Sequence, residues 1–227
     1  MIQDFKSLVL TRARPVVARF MFGAAVLPFL TVSAMAQEAT AQAPALMEMV
    51  EAGNLPPVSE RVGEEPEVVE PLDAIGKYGG EIRTGLRGSS DHNGILRVVG
   101  PQGLVRWDPQ YTKVVPNVAK SFDVDDAGEV FTFHLRKGMK WSDGAPFTAD
   151  DVMFNVSDLL LNEDFAPTPA RYTAGGEPMK VEKIDDYTVR LTFAEPYGDF
   201  LAELAAPLGQ NPVLYAKHYC KQFVPAY

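Results

Sequence analysis

Residues 131–152, FTFHLRKGMKWSDGAPFTADDV, decide the fold of this chain. Apolar and polar residues alternate in the first part of the stretch, so that Phe131, Phe133 and Leu135 face one way. This alternation predicts a strand with one buried face. Gly138 follows, and a glycine there can turn the chain back on itself because it tolerates a positive φ angle. The stretch therefore predicts a strand that ends in a tight turn.

The second half of the stretch predicts the start of a helix, although its carboxylates also permit a catalytic interpretation. The hydroxyl of Thr148 can cap a helix whose positive end meets Asp150 and Asp151. A catalytic site would use these aspartates or Asp143 as acid or base, with His134 as the partner. Adjacent residues on a helix point about 100° apart, so Asp150 and Asp151 cannot easily share one substrate proton. We interpret the segment as scaffold.

Residues 1–36 have the pattern of a secretory signal peptide. Four basic residues precede or enter an apolar run, which ends in Ala34-Met35-Ala36. The order of basic region, apolar region and small residues is typical of such signals. A membrane anchor is the alternative, but the apolar run from Phe20 to about Leu30 is short for crossing a bilayer. We expect cleavage near Ala36 and export to the periplasm.

Charge and cysteine content limit the partners of the exported chain. Removing the four basic residues and one acidic residue of the signal from the totals of 21 and 30 leaves 17 and 29, a net charge of −12. Such a chain repels nucleic acid and anionic membrane surfaces. Cys220 is the only cysteine in the sequence, so it can form no internal disulfide and no thiolate zinc cluster. No cofactor is expected.

Residues 37–76 differ from the rest of the chain and are predicted to form an N-terminal arm. The stretch ALMEMVEAG predicts a short helix that closes at Gly53 and Asn54. Prolines are dense in the remainder of the arm and favour extended backbone; they are Pro56, Pro57, Pro66 and Pro71. The stretch PEVVEP is a candidate for pairing at the edge of a sheet.

Residues 77–227 have the pattern of a globular body of mixed α and β structure. GGEIRTGL, residues 79–86, predicts a short strand. Two hairpins are predicted at KSFDVDDAGEVFTFHLRKG and at MKVEKIDDYTVRLTFAEP, with aspartate-containing turns. Helices are predicted from about Thr148 to Leu161, in YGDFLAELAA, and in NPVLYAKHYC with Pro212 in its first turn.

The stretch GLVRWDPQYTKVVPNVAKSFDVDDAGEVFTFHLRKGMKWSDGAPFTADDV resembles a known family. It is similar to the extracytoplasmic solute-binding proteins, family 5, of peptide-type ABC importers. Residues 116–121 match the short motif that precedes the strand in the family, and residues 131–152 match the family's strand, turn and helix start. The pairing of KWSDG with FTADDV is specific, because turn and capping rules alone would not select Trp141. The resemblance extends from about Tyr78 to Cys220.

The resemblance implies a type II periplasmic-binding-protein fold, in which two α/β lobes close on a ligand. Family members are much longer than this chain. We therefore expect residues 77–227 to hold the first strand of lobe one, the small accessory domain and the return toward lobe one. On this interpretation the second lobe and the hinge are missing, and the chain is the N-terminal portion of a binding protein.

The same resemblance places the loop after the first strand, residues 87–93, at the mouth of the ligand cleft. Its polar residues offer donors and acceptors to a peptide backbone or a sugar, and the predicted ligand-binding residues are Ser89, Ser90, Asp91, His92 and Asn93. The alternative is a solvated turn made of ordinary turn-forming residues.

Catalytic and metal-binding interpretations of this loop find little support in the sequence. Neighbours on one loop cannot adopt the geometry of a Ser-His-Asp triad, in which the histidine lies between the other two groups. His92 has no second ligand at a productive spacing, and His134 and His218 are isolated in the sequence, so no metal site is predicted.

The predicted function is the capture of a small solute for an ABC permease in the membrane, without covalent chemistry. The family binds oligopeptides, dipeptides, metal chelates and some oligosaccharides, and the sequence does not select among them. Because one face of the cleft is expected to be missing, we predict that the 227-residue chain does not trap ligand alone. The alternatives are a secreted hydrolase that uses a carboxylate pair such as Asp91 and Asp143, and a module that binds only protein.

Overall fold

The computed structural model describes residues 42–88, 91, 94, 100, 102–225 and 227. The predicted signal peptide, residues 1–36, lies outside the described residues. The helices are α1 (Pro44–Glu51), α2 (Val58–Arg61), α3 (Ala149–Met153), α4 (Phe200–Leu204) and α5 (Lys217–Cys220). The strands are β1 (Val105–Trp107), β2 (Val114–Pro116), β3 (Ala119–Val124), β4 (Val130–Leu135), β5 (Thr173–Ala174), β6 (Glu177–Pro178), β7 (Lys180–Asp185) and β8 (Thr188–Thr192). A π-helical segment covers Phe154–Leu160, and 3₁₀ turns cover Ala170–Tyr172, Pro207–Val213 and Lys221–Phe223.

A four-stranded antiparallel sheet in the order β3-β4-β8-β7 forms the centre of the body. Both predicted hairpins are confirmed, since β3 pairs with β4 and β7 pairs with β8. On β4, Phe133 lies opposite Phe122 on one side and Val189 on the other. Burial alternates along β4 and β8: on each strand every second residue is buried in the core, and the residues between them are half-buried. This is the pattern that the sequence predicted.

Aromatic side chains fill the core between the sheet and α4. Phe200 is fully buried, and its ring lies 4.9 Å from Phe131, 4.7 Å from Phe193 and 6.4 Å from Tyr172, measured between ring centroids. These pairs are edge-to-face, the arrangement that places the positive edge of one ring on the negative face of another. The hydroxyl of Tyr172 is buried without a hydrogen-bond partner, and burial raises its pKa to about 12.

The helix start predicted at Thr148 is confirmed. Thr148 Oγ1 accepts a hydrogen bond from the Asp150 N–H, and Asp151 Oδ2 accepts one from the Thr148 N–H at 2.9 Å, which together form a capping box. The helix continues as predicted toward Leu161, but its second half, Phe154–Leu160, has π-helical hydrogen bonding. The ring of Trp141 packs edge-to-face on Phe147 at 5.5 Å, and this contact holds the turn between the two residues against the body.

Two buried polar residues on this helical segment hold residues 207–220, which we call the return segment. Asp151 Oδ1 accepts the Lys217 N–H at 2.9 Å. Asn155 binds both backbone groups of Tyr215: it donates to the carbonyl at 2.7 Å and accepts from the N–H at 2.9 Å. The predicted helix at NPVLYAKHYC is therefore wrong in its bounds, because Pro212 lies inside a 3₁₀ turn and α5 begins only at Lys217.

The N-terminal arm contains the predicted helix but not the predicted edge strand. Helix α1 ends before Gly53, whose φ angle is +72°. Residues 66–71 do not form a strand, and Glu67 contacts the body through an ion pair with Arg106. The strand predicted at residues 79–86 is also wrong: the segment is extended and exposed, with Ile82 88% exposed, and pairs with no strand among the described residues.

Within the described part of the chain, none of the helices combines the length and apolar character needed to span a bilayer.

Candidate ligand-binding loop and neighbouring surfaces

Asp91 is the one predicted ligand-binding residue that the structure describes. Ser89, Ser90, His92 and Asn93 lie outside the described residues. Asp91 is half-buried; its Oδ2 accepts the Arg87 N–H at 3.2 Å, and its own N–H donates to the Gly88 carbonyl at 3.2 Å. The carboxylate of Asp91 therefore contacts the backbone of Arg87, and Oδ1 has no hydrogen-bond partner among the described residues.

The loop is tight on its C-terminal side. A Cβ atom on Gly94 would lie 3.2 Å from a methyl carbon of Leu86 and 3.3 Å from Asp91 Oδ1. These are distances at which neighbours would have to give way, so a residue without a side chain fits best there. Asp91 thus presents one acceptor oxygen that no other described residue engages, as either a ligand contact or a solvated turn would have.

A second polar surface lies at the ends of β4 and β8 and was not predicted as a site. A cavity of about 350 Å³ is lined there by Lys120, His134, Leu135, Lys137, Asp185, Asp186, Tyr187 and Thr188. His134 Nε2 lies 2.9 Å from Asp123, and Lys137 Nζ lies 5.8 Å from the centre of the Tyr187 ring. Backbone N–H groups, first that of Tyr187, hold the pKa of Asp185 below its ordinary value. The lining carries positively charged lysines and negatively charged aspartates, so it offers hydrogen-bond donors and acceptors to a polar solute.

The structure gives the carboxylates of the hydrolase alternative separate partners. Asp143 Oδ2 lies 2.6 Å from His218 Nε2, and this contact holds the pKa of Asp143 below its ordinary value. His134, the partner considered from the sequence, contacts Asp123 instead. No hydrogen bond or ion pair between described residues joins Asp91 to Asp143. The contact between Asp143 and His218 spans 75 residues, and for that reason it has no local sequence signal.

No group of three or more His, Cys, Asp or Glu side chains is placed to hold a metal ion in the described ranges.

The described part of the chain has the fold of part of a periplasmic binding protein. It is similar to a solved structure of an oligopeptide-binding protein OppA, with 46% identity and a TM-score of 0.70, covering 82% of this chain and 28% of that one. It is also similar to the periplasmic binding protein MelB from Agrobacterium fabrum C58 in complex with stachyose, with 32% identity and a TM-score of 0.68, covering 82% of this chain and 31% of that one.

Residues 113–222 match the model of the bacterial extracellular solute-binding proteins, family 5 Middle. These residues belong to solute-binding protein family 5, as the resemblance in the sequence predicted. It is 36% identical to the periplasmic alpha-galactoside-binding protein of Rhizobium meliloti (strain 1021) over 171 residues, 65% of this chain and 24% of that protein. It is 37% identical to the dipeptide-binding protein of Escherichia coli (strain K12) over 120 residues, 45% of this chain and 22% of that protein. The chain spans about a quarter of the length of these curated relatives.

Proposed function

We propose that this chain forms part of the substrate-binding component of an ABC importer, and that it acts in the periplasm after export directed by residues 1–36. The observation that carries the proposal is the family match over residues 113–222, which includes the sheet, the capped helix and the return segment. The relatives named above are binding proteins for oligopeptides, dipeptides or alpha-galactosides, and one is in complex with stachyose.

The proposed mechanism involves binding and closure without covalent chemistry. A solute held at residues 87–93 would shift the balance between open and closed lobes, and the closed form would dock on the permease. Asp91 Oδ1, which accepts no hydrogen bond from another described residue, supports a contact to a donor on the solute, such as a hydroxyl or an amide N–H. Engagement of Asp143 by His218 supports the view that this carboxylate serves structure.

The relatives support two classes of solute. The oligopeptide-binding structure is the more similar by sequence, at 46% identity. The structure that contains stachyose covers the same share of this chain, and the alpha-galactoside-binding relative aligns over a larger share than the dipeptide-binding one. An oligopeptide and an alpha-galactoside oligosaccharide are therefore the two candidates to test.

Deletion of the gene in the organism that carries it tests the function. We expect the uptake of labelled stachyose or of a labelled oligopeptide to fall, while uptake of labelled glucose stays unchanged. The unaltered gene on a plasmid should restore uptake, and a matched gene that lacks the codons for residues 2–36 should not. Unchanged uptake of both solutes would contradict the proposal, and the solute whose uptake falls identifies the class.

A further inference from the structure

Residues 58–67, which we call the strap, lie along the body and consist of α2 and the non-helical segment that follows it. Burial alternates along the strap: Arg61, Gly63, Glu65 and Glu67 are half-buried, whereas the residues between them are exposed. A period of two is the pattern of an extended chain with one face on a surface. The strap is therefore seated on the body in the manner of a bound peptide, although it forms no ladder with a strand.

Charged groups of the body hold the inward-facing residues of the strap. Lys120 Nζ lies 2.9 and 3.0 Å from the two carboxylate oxygens of Glu65, and the Lys137 N–H donates to Glu65 Oε2 at 3.1 Å. Arg106 Nη2 lies 2.6 Å from Glu67. The Lys120 ammonium, followed by the Lys137 N–H, keeps the pKa of Glu65 below its ordinary value, so that Glu65 carries its charge at neutral pH.

Backbone contacts give the strap a defined position. Arg136 Nη1 donates to the Glu65 carbonyl at 3.1 Å, and its Nε donates to the Asn117 carbonyl at 2.9 Å. Gly63 and Gly138 meet without side chains: a Cβ on Gly138 would lie 2.7 Å from the backbone nitrogen of Glu64. The strap thus fits the turn after β4 closely at this one point.

Apolar packing contributes little to the seating of the strap. Val58 is the only buried residue in residues 58–67. The paired side chains keep 27% to 38% of their surface exposed, and cavities of about 420 and 410 Å³ lie on either side of the contact. Half-exposed ion pairs are individually weak and are screened by salt. A segment that is held mainly by such pairs exchanges readily between docked and released positions.

We propose that the strap is a releasable clamp, docked on Lys120, Arg136 and Arg106 at low ionic strength and released as salt screens these contacts. Release separates the arm from the four-stranded sheet and uncovers a basic surface on a chain that is acidic overall. The clamp concerns the arm alone and goes beyond the proposed function, since it does not depend on which solute the protein binds.

Limited trypsin digestion of the full chain tests the clamp. The Arg61–Val62 bond lies within the strap, whereas the Lys77–Tyr78 bond lies in the exposed segment after it and serves as the internal reference. Cleavage follows the population of the open form when opening is fast relative to cutting. Between 10 mM and 1 M NaCl, where the Debye length falls from about 30 to about 3 Å, we expect cleavage at Arg61 relative to Lys77 to rise about threefold.

Substitutions separate the clamp from a general effect of salt. Glu65→Lys should raise relative cleavage at Arg61 about fivefold at low salt, and the exchanged pair E65K with K120E should return it toward the starting value. Glu70→Lys makes the same charge change outside the strap, at an exposed residue, and should change relative cleavage less than twofold. Salt-independent cleavage of the unaltered chain, or equal effects of the Glu65 and Glu70 substitutions, would overturn the proposal.

Discussion

Asn155→Leu should detach the return segment from the body and destabilise the fold. Asn155 is 1% exposed, and its side chain makes hydrogen bonds of 2.7 Å to the Asp151 carbonyl, 2.7 Å to the Tyr215 carbonyl and 2.9 Å from the Tyr215 N–H. Leucine has a similar shape, so the substitution removes these bonds without opening a large cavity.

The expected loss follows from the groups that are left without partners. Each lost hydrogen bond contributes about 0.5 to 1.5 kcal/mol net, and an unsatisfied buried group costs about 1 to 3 kcal/mol. Tyr215 is 48% exposed, so water can reach part of its backbone and the lower end of these ranges applies. We expect the free energy of unfolding to fall by about 2 to 3 kcal/mol.

Urea unfolding followed by circular dichroism measures this loss, and amide hydrogen exchange shows where it arises. The Tyr215 amide should lose protection more than the Lys217 amide, because Asp151 still accepts a bond from Lys217. Asn162→Leu is the matched control: Asn162 makes only local bonds, to Asp158 and Asp164, and should lose less than about 1 kcal/mol. Equal losses for the two variants, or unchanged protection of Tyr215, would refute the reasoning.

Three further predictions concern the core and the surface. Phe200→Ala should destabilise the protein by about 3 to 5 kcal/mol in urea unfolding, whereas Tyr219→Ala, at an exposed ring, should stay within about 0.5 kcal/mol; similar losses would contradict the assignment of the core. Tyr172→Phe removes a buried hydroxyl that has no partner and should leave stability at neutral pH unchanged or slightly higher. Because the pKa of Tyr172 is raised to about 12, Tyr172 does not lower the free energy of unfolding below its ordinary pKa of 10.0, but stability is lost as the pH rises from 10.0 toward 12. Tyr172→Phe should lack this alkaline loss, and a variant with the same loss would count against burial as the cause. The pKa of Asp143 should lie below 3.8 and should rise toward 3.8 in His218→Gln, since contact with His218 is the main cause of the lowering. The stability that this contact provides is present above pH 3.8 and is lost as the pH falls through the lowered pKa. An NMR titration in which the substitution leaves the pKa of Asp143 unchanged would contradict the prediction.

Local patterns in the sequence predicted the parts of the fold that local physics determines. The alternation of β4 and the capping residue Thr148 each depend on neighbours within a few positions, and both are confirmed. The strand predicted at residues 79–86 is wrong because a segment with strand-forming residues becomes a strand only where another strand is available to pair with it. Among the described residues no strand lies beside it, and Ile82 remains exposed.

Contacts between distant parts of the chain could not be predicted in this way. Glu65 and Lys120 are 55 residues apart, and Asp143 and His218 are 75 residues apart. A single charged residue has many possible partners on a surface, so its type does not identify the one it meets. The candidate loop at residues 87–93 was located through the family resemblance, and of its predicted ligand-binding residues only Asp91 is described. The assignment of the loop to ligand binding stays a prediction.

The motif that identifies the family has a structural role wherever the structure describes it. Trp141 packs on Phe147, Thr148 caps α3, and Asp151 both completes the capping box and binds the backbone of Lys217. One carboxylate therefore fixes the start of the helix and the path of the return segment, and substitution there would disturb both. Such constraints hold whatever the ligand is, because they concern backbone groups of the protein itself. The motif consequently identifies the scaffold and does not by itself select a ligand.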